Sequence, residues 1–175
     1  TGGNMNATAL GLNGGWGGIT VTKEFVNKFE ASTRNGNNEP TAWNDKRAMF
    51  HTDGQTFEST DYVKDFTKGG YAVTKFKNIT STGVAGKDPA KDFPDTDLPL
   101  IRLAEVYLTY AEAVLRGGTG GDRATALGYI NQLRTRAYGS AAGNIADADL
   151  TLDFILDERA RELYWEGLRR TDLIR

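Results

Sequence analysis

The sequence has no cysteine among its 175 residues. That removes disulfides, thiolate metal sites and a cysteine nucleophile in one step. Histidine occurs once, at His51, which leaves too few ligands for a zinc centre of the His and Cys type. No sign of charge dominates. Lys and Arg number 21 against 23 Asp and Glu, for a formal net charge of −2, so the electrostatic footprint of a nucleic-acid binder is missing. No apolar run nears the roughly 20 residues that a membrane-spanning helix needs. The opening Thr1-Gly2-Gly3-Asn4 lacks the basic start and apolar stretch of a signal peptide. There is no Gly-rich phosphate loop with Lys, no G-x-S-x-G and no dinucleotide fingerprint, and no cofactor is expected. The chain stops at Arg175, just after a helix start. A fragment of a longer protein is therefore expected, with any export signal or lipid anchor outside it.

What is present falls into two halves, residues 1–93 and 94–175. The first holds most of the Gly, Asn and Thr, with short apolar runs between turn signals. Ile19 to Thr22 and Tyr71 to Phe76 have the composition or alternation of short strands. Lys23 to Glu30 suits a short helix, and Asn35-Gly36-Asn37-Asn38 a turn. The second half reads as punctuated helices. Asp97 and Pro99 are expected to start the first, with Leu100, Leu103, Ala104, Tyr107, Ala111 and Val114 on one face at helical spacing. Gly117-Gly118 stops it. The second runs from near Asp122 to Gly139 and buries Leu127, Ile130, Leu133 and Ala137. The third starts at Thr151 as N-cap with Asp153 in its first turn. It turns Phe154, Ile155, Leu163 and Tyr164 inward and ends at Gly167. Leu168 to Arg175 opens a fourth. The expected fold is mainly α: antiparallel helical hairpins, tetratricopeptide-like in the run Ala104 to Ala113, with a loop-rich N-terminal part containing short strands.

Three segments in the second half carry a resemblance. They are Asp92 to Gly118 (DFPDTDLPLIRLAEVYLTYAEAVLRGG), Ala126 to Ala137 (ALGYINQLRTRA) and Leu150 to Arg175 (LTLDFILDERARELYWEGLRRTDLIR). In order and separation they resemble the C-terminal signature of the SusD/RagB family. Upstream, G-W-G-G, R-A-M-F (Arg47 to Phe50) and G-Y-A-V-T-K-F (Gly70 to Phe76) are similar to members of the starch-binding type. One departure is Leu168, where the family often has His after the helix-ending Gly. The resemblance implies a lipoprotein on the extracellular face of the outer membrane, held by a lipid anchor outside this chain. It implies oligosaccharide capture and delivery to a SusC-like TonB-dependent transporter. Helical repeats then serve as scaffold, and loops build a shallow aromatic glycan face.

Candidate residues follow from sugar chemistry. Trp16, in the glycine cradle Gly14 to Gly18, offers an indole face for stacking on sugar C–H groups. Trp43 is a second aromatic in a loop, and Asn13, Asn44 and Asp45 can hydrogen-bond hydroxyls. Trp165, beside Tyr164, is expected to pack inside. The run Asp157-Glu158-Arg159-Ala160-Arg161-Glu162 admits two readings. Paired carboxylates suit a glycoside hydrolase. Adjacent helical positions, however, point in different directions, and Asp157–Arg161, Glu158–Arg161 and Glu166–Arg170 fall at ion-pairing spacings. The structural reading is preferred, with no catalytic residue. Asp147 to Asp153 alternates oxygen ligands, but Leu152 stands where a calcium loop demands Gly, so capping is preferred and no metal is expected. The leading function is non-catalytic binding of a starch-like α-glucan. The alternatives are a glycoside hydrolase, or a scaffold and transporter interface with no sugar site of its own.

Overall fold

The computed structural model describes residues 5–15, 19–61, 65–88 and 90–174. The chain divides into two compact units: residues 1–43 with 48–97, and residues 44–47 with 98–175.

The first unit holds the short elements. They are β1 (Thr20–Val21), α1 (Lys23–Val26), β2 (Ala31–Arg34), β3 (Pro40–Trp43), β4 (Phe50–His51) and β5 (Tyr71–Val73). β5 is the centre of a three-stranded antiparallel sheet, with Val21 opposite Tyr71 and Phe50 opposite Val73. β2 and β3 form a hairpin across the expected Asn-Gly-Asn-Asn turn. Asn35 closes it through its side chain, accepting from the N–H of Asn37 and of Glu39, both at 3.0 Å. Strand and helix are shorter than the alternation suggested. The apolar content is spent on an aromatic cluster instead. Phe25, Phe29, Trp43, Phe50, Phe57 and Tyr71 meet at centroid distances of 5.2 to 6.4 Å, mostly edge to face. That geometry suits ring quadrupoles.

The second unit is helical, as expected: α2 (Leu103–Leu115), α3 (Arg123–Tyr138), α4 (Leu152–Leu163) and α5 (Arg169–Ile174). α2 and α3 run antiparallel. Tyr107 stacks on Tyr129 at 4.2 Å, while the later Tyr110 hydroxyl accepts from the N–H of Asp122 at the start of α3. Asp122 caps α3 through the N–H of Thr125 at 2.8 Å, and Gly139 ends it at φ 73°. Thr151 caps α4 through the N–H of Phe154 at 3.1 Å. Ala104, Leu108, Ala111, Ala126, Ile130, Leu133, Leu150, Ile155 and Leu163 form the core. Among the described residues, no helix is long and apolar enough to cross a membrane.

Three expectations are corrected. α2 starts at Leu103, not near Asp97, because Arg102 stays extended (φ −140°, ψ 158°) and spends its guanidinium on Glu162 and Glu166. Leu100 is consequently 81% exposed. α4 ends before Gly167. Tyr164 leaves the helix (ψ 144°), and its hydroxyl donates to the carbonyl of Arg47 at 2.8 Å. The next residue, Trp165, takes φ 62° and stands 41% exposed rather than packed.

Candidate functional site

The charged run of α4 builds a buried cage of ion pairs. Helical geometry turns Glu158 and Glu162, four residues apart, to one side, where Arg47 receives them both. Its Nη1 donates to Glu158 Oε1 at 2.8 Å and to Glu162 Oε2 at 3.0 Å. Its Nε and Nη2 grip the two oxygens of Asp45 at 2.9 and 2.7 Å. Arg134 and Arg161 approach the second oxygen of Glu158 at 2.9 and 2.8 Å. Arg102 and Arg136 approach the second oxygen of Glu162 at 2.6 and 2.5 Å. Arg102 also forks onto Glu166, at 2.7 and 2.9 Å. So the expected Glu158–Arg161 pair forms, whereas Glu166 is held by Arg102 rather than from one turn further along the helix.

The electrostatics follow from this crowding. Burial pushes the Glu162 carboxyl up, but hydrogen bonds from Arg136 and Arg102 and the charge of Arg47 outweigh it. The group is held at about 2, from 4.5. Burial likewise opposes ionisation of Glu158, and the charges of Arg47, Arg161 and Arg134 override it and lower its pKa. A general acid needs a pKa raised toward the working pH, and a hydrolytic pair must flank a bond across a cleft. These carboxylates flank a guanidinium, and Glu158 is 0% exposed and Glu162 4%. The arrangement orders backbone segments; it cannot shuttle protons.

Two of the three acids of the calcium-like stretch are also committed. Asp147 pairs with Arg123 at 2.7 Å, and Asp149 accepts from the N–H of Ala146 at 3.1 Å. Among the described residues, no group of three or more His, Asp or Glu could hold a metal ion.

The sugar-binding candidates separate. Trp16 lies outside the described residues. Asn13, in the first unit, has an exposed side chain, while its N–H donates to the Lys91 carbonyl at 3.3 Å. Asn44, in the second unit, is exposed. Trp43 is half-buried, with its ring edge-on to Phe50 at 5.2 Å and to Tyr71 at 6.4 Å. Its indole N–H is buried with no partner among the described residues. Asp45 does not fit a hydroxyl acceptor. It is 1% exposed, and Arg47 occupies both its oxygens.

Sequence reasoning missed Arg47 as the hub. Its partners stand 111 and 115 residues away, a separation that no local periodicity reports. It also missed an open depression of about 360 Å³ in the first unit, lined by Lys77, Asn78, Thr80, Val84, Lys87 and Thr96 among others. Asn78 forms its floor, donating to the Gly11 carbonyl at 3.2 Å and accepting from the N–H of Asp95 at 2.8 Å. Among the described residues, the lining of the hollow has no aromatic ring.

Comparison with known proteins agrees with this architecture. The SusD family profile matches residues 2–175. The starch-binding protein SusD of Bacteroides thetaiotaomicron is 41% identical over 134 residues, covering 75% of this chain and 22% of that protein. A crystal structure of a SusD superfamily protein from Bacteroides vulgatus aligns with a TM-score of 0.51 and 31% identity, over 74% of this chain and 25% of that one. The chain thus spans about a quarter of the length of these relatives. Matched along nearly its whole length by the family profile, and sharing the mainly helical fold of a solved member, the chain belongs to the SusD family.

Proposed function

We propose that this chain is part of a non-catalytic receptor for a starch-like α-glucan on the extracellular face of the outer membrane. The single observation that carries the reading is the 41% identity to a protein named for starch binding. The protein would hold the oligosaccharide and deliver it to a SusC-like TonB-dependent transporter, anchored by a lipid outside this sequence. Trp16 is the stacking platform, flanked by glycines that keep other side chains clear. Asn13 and Asn44, each within its own unit, supply hydrogen bonds to hydroxyls, and Trp43 contributes the accessible part of its ring. The buried acids of α4, Glu158 and Glu162, support the non-catalytic part, since each is held by arginines.

Calorimetry with maltooligosaccharides tests the proposal. Reversible binding without released reducing ends is expected. Trp16→Ala should weaken affinity about tenfold, the worth of one stacked ring at roughly 1.4 kcal/mol. Released reducing ends would replace the receptor with a hydrolase. An unchanged affinity in the variant would leave this region as scaffold, with the sugar site elsewhere.

A further inference from the structure

A tryptophan with positive φ is strained. In the left-handed region the Cβ of an L residue crowds its own backbone, so a bulky side chain there is an outlier. Trp165 nevertheless holds φ 62°. Both of its neighbours are clamped. Tyr164 is buried and donates its hydroxyl to the Arg47 carbonyl at 2.8 Å. Glu166 is buried and forked by Arg102 at 2.7 and 2.9 Å, and its N–H donates to the Leu163 carbonyl at 3.2 Å. Two buried anchors therefore impose the strain, and the side chain between them stands 41% exposed. Packing does not offset it. Among the described residues, the indole has no ring partner and its N–H no hydrogen-bond partner. The space beside it is open as well, since a Cβ on Gly167 would meet no atom within 4 Å. Strain that a fold maintains without a packing return is a mark of a functional position.

We propose that Trp165 is a second stacking platform, holding one pyranose ring of the glycan against its indole on the helical unit. The proposal rests on the receptor reading above. The neighbours of Trp165 along the chain bring charge rather than an apolar surround. Glu166, Arg169 and Arg170 are ionic, and Leu168 packs against the core. An anchor for a protein partner sits in a packed, water-excluding setting. A lone flat ring among charged groups suits a sugar instead, which lays its C–H face on the indole and keeps its hydroxyls in water. The clamps on Tyr164 and Glu166 fix the backbone under the ring in advance, so a ligand has little left to order there.

Fluorine NMR of the full-length protein labelled with fluorotryptophan tests this, the Trp165 resonance being assigned by its loss in Trp165→Phe. The expected result is a saturable shift of that resonance as maltooligosaccharide is added. A resonance that stays still while calorimetry records binding overturns this proposal and leaves the receptor reading standing. No binding at all overturns both. Trp165→Gly then separates a ligand platform from a ring that packs in the full-length protein. Glycine accepts positive φ without strain, so the melting midpoint should hold or rise, while the calorimetric affinity falls about three- to tenfold. A midpoint lowered by more than about 4 °C reveals a covered ring and overturns the proposal. An affinity equal to that of the unaltered protein overturns it as well.

Discussion

Replacing Arg47 with Met probes the cage at its hub, keeping much of the aliphatic stem while deleting the guanidinium. The three carboxylates it serves are not equally exposed to the loss. Glu158 keeps Arg134 and Arg161, and Glu162 keeps Arg102 and Arg136. Asp45, 1% exposed, keeps only the N–H of residue 47 among its described partners. The damage should therefore concentrate on one stranded carboxylate, and stranding a buried charge costs about 3–5 kcal/mol. At a urea slope of about 2 kcal/mol per molar, the unfolding midpoint falls by about 1.5–2.5 M. Far-UV circular dichroism reports it, since the helices of the second unit carry the signal. Adding Asp45→Asn removes the stranded charge and should recover more than half of the loss. A cost below about 1 kcal/mol, the worth of a solvent-exposed pair, would refute the burial argument. A double variant no more stable than the single one would refute the assignment to Asp45.

Acid should loosen the same cage. The folded pKa of Glu162 lies below its unfolded value of 4.5, so its contribution is complete only above about pH 5. It is lost as pH falls from about 5 toward 2, on the order of 3 kcal/mol for this group, with Glu158 adding in the same direction. Urea midpoints at pH 7 and pH 3 measure this, and equal midpoints would contradict it. Asp122→Ala removes the cap on Thr125 and should cost about 1 kcal/mol by chemical denaturation, with Asp122→Asn restoring most of it. Gly70→Ala places a Cβ against the carbonyl of Val21 at φ 112°. It should destabilise the first unit by about 1–3 kcal/mol or more, read as early loss of the near-UV signal from the Trp43–Phe50–Tyr71 cluster. A wild-type melting profile would show that β1 and β5 do not need that approach.

Local signals carried the parts of the fold that local chemistry decides. Asp122, Thr151 and Gly139 announce helix ends because capping and left-handed turns act within four residues. Leu133 and Ile155 fall on buried faces because helical periodicity places them there. Failures occur where a distant partner overrides the local rule. Pro99 and Asp97 look like a helix start, yet Arg102 stays extended to reach Glu166, 64 residues on. Tyr164 looks helical, yet breaks out to reach the backbone of Arg47, 117 residues back. Trp165 inherits its exposed, left-handed position from that break. Of the sugar-binding candidates, Asp45 is buried for the same reason. Asp in a polar loop looks available, and only the fold reveals that Arg47 has taken both oxygens.

The cage has a purpose that hydrophobic packing would serve less well. Residues 44–47 are four polar or small-loop positions, Asn-Asp-Lys-Arg, with no apolar side chain to anchor them. They are nonetheless held within the helical unit. A guanidinium offers donors in a fixed plane, so Arg47 can engage Asp45, Glu158 and Glu162 only in one orientation of its segment. The Lys46 N–H to the Ala137 carbonyl at 2.9 Å and the Tyr164 hydroxyl to the Arg47 carbonyl fix the same backbone from two more directions. An apolar patch is non-directional and would tolerate sliding. Buried ion pairs add little net stability over apolar replacements, so the gain here is positional. Asn44, proposed to meet the glycan, lies in this clamped segment. A clamp that sets the backbone at Asp45 limits the conformations open to its neighbours, and such preorganisation lowers the ordering cost of any binding there.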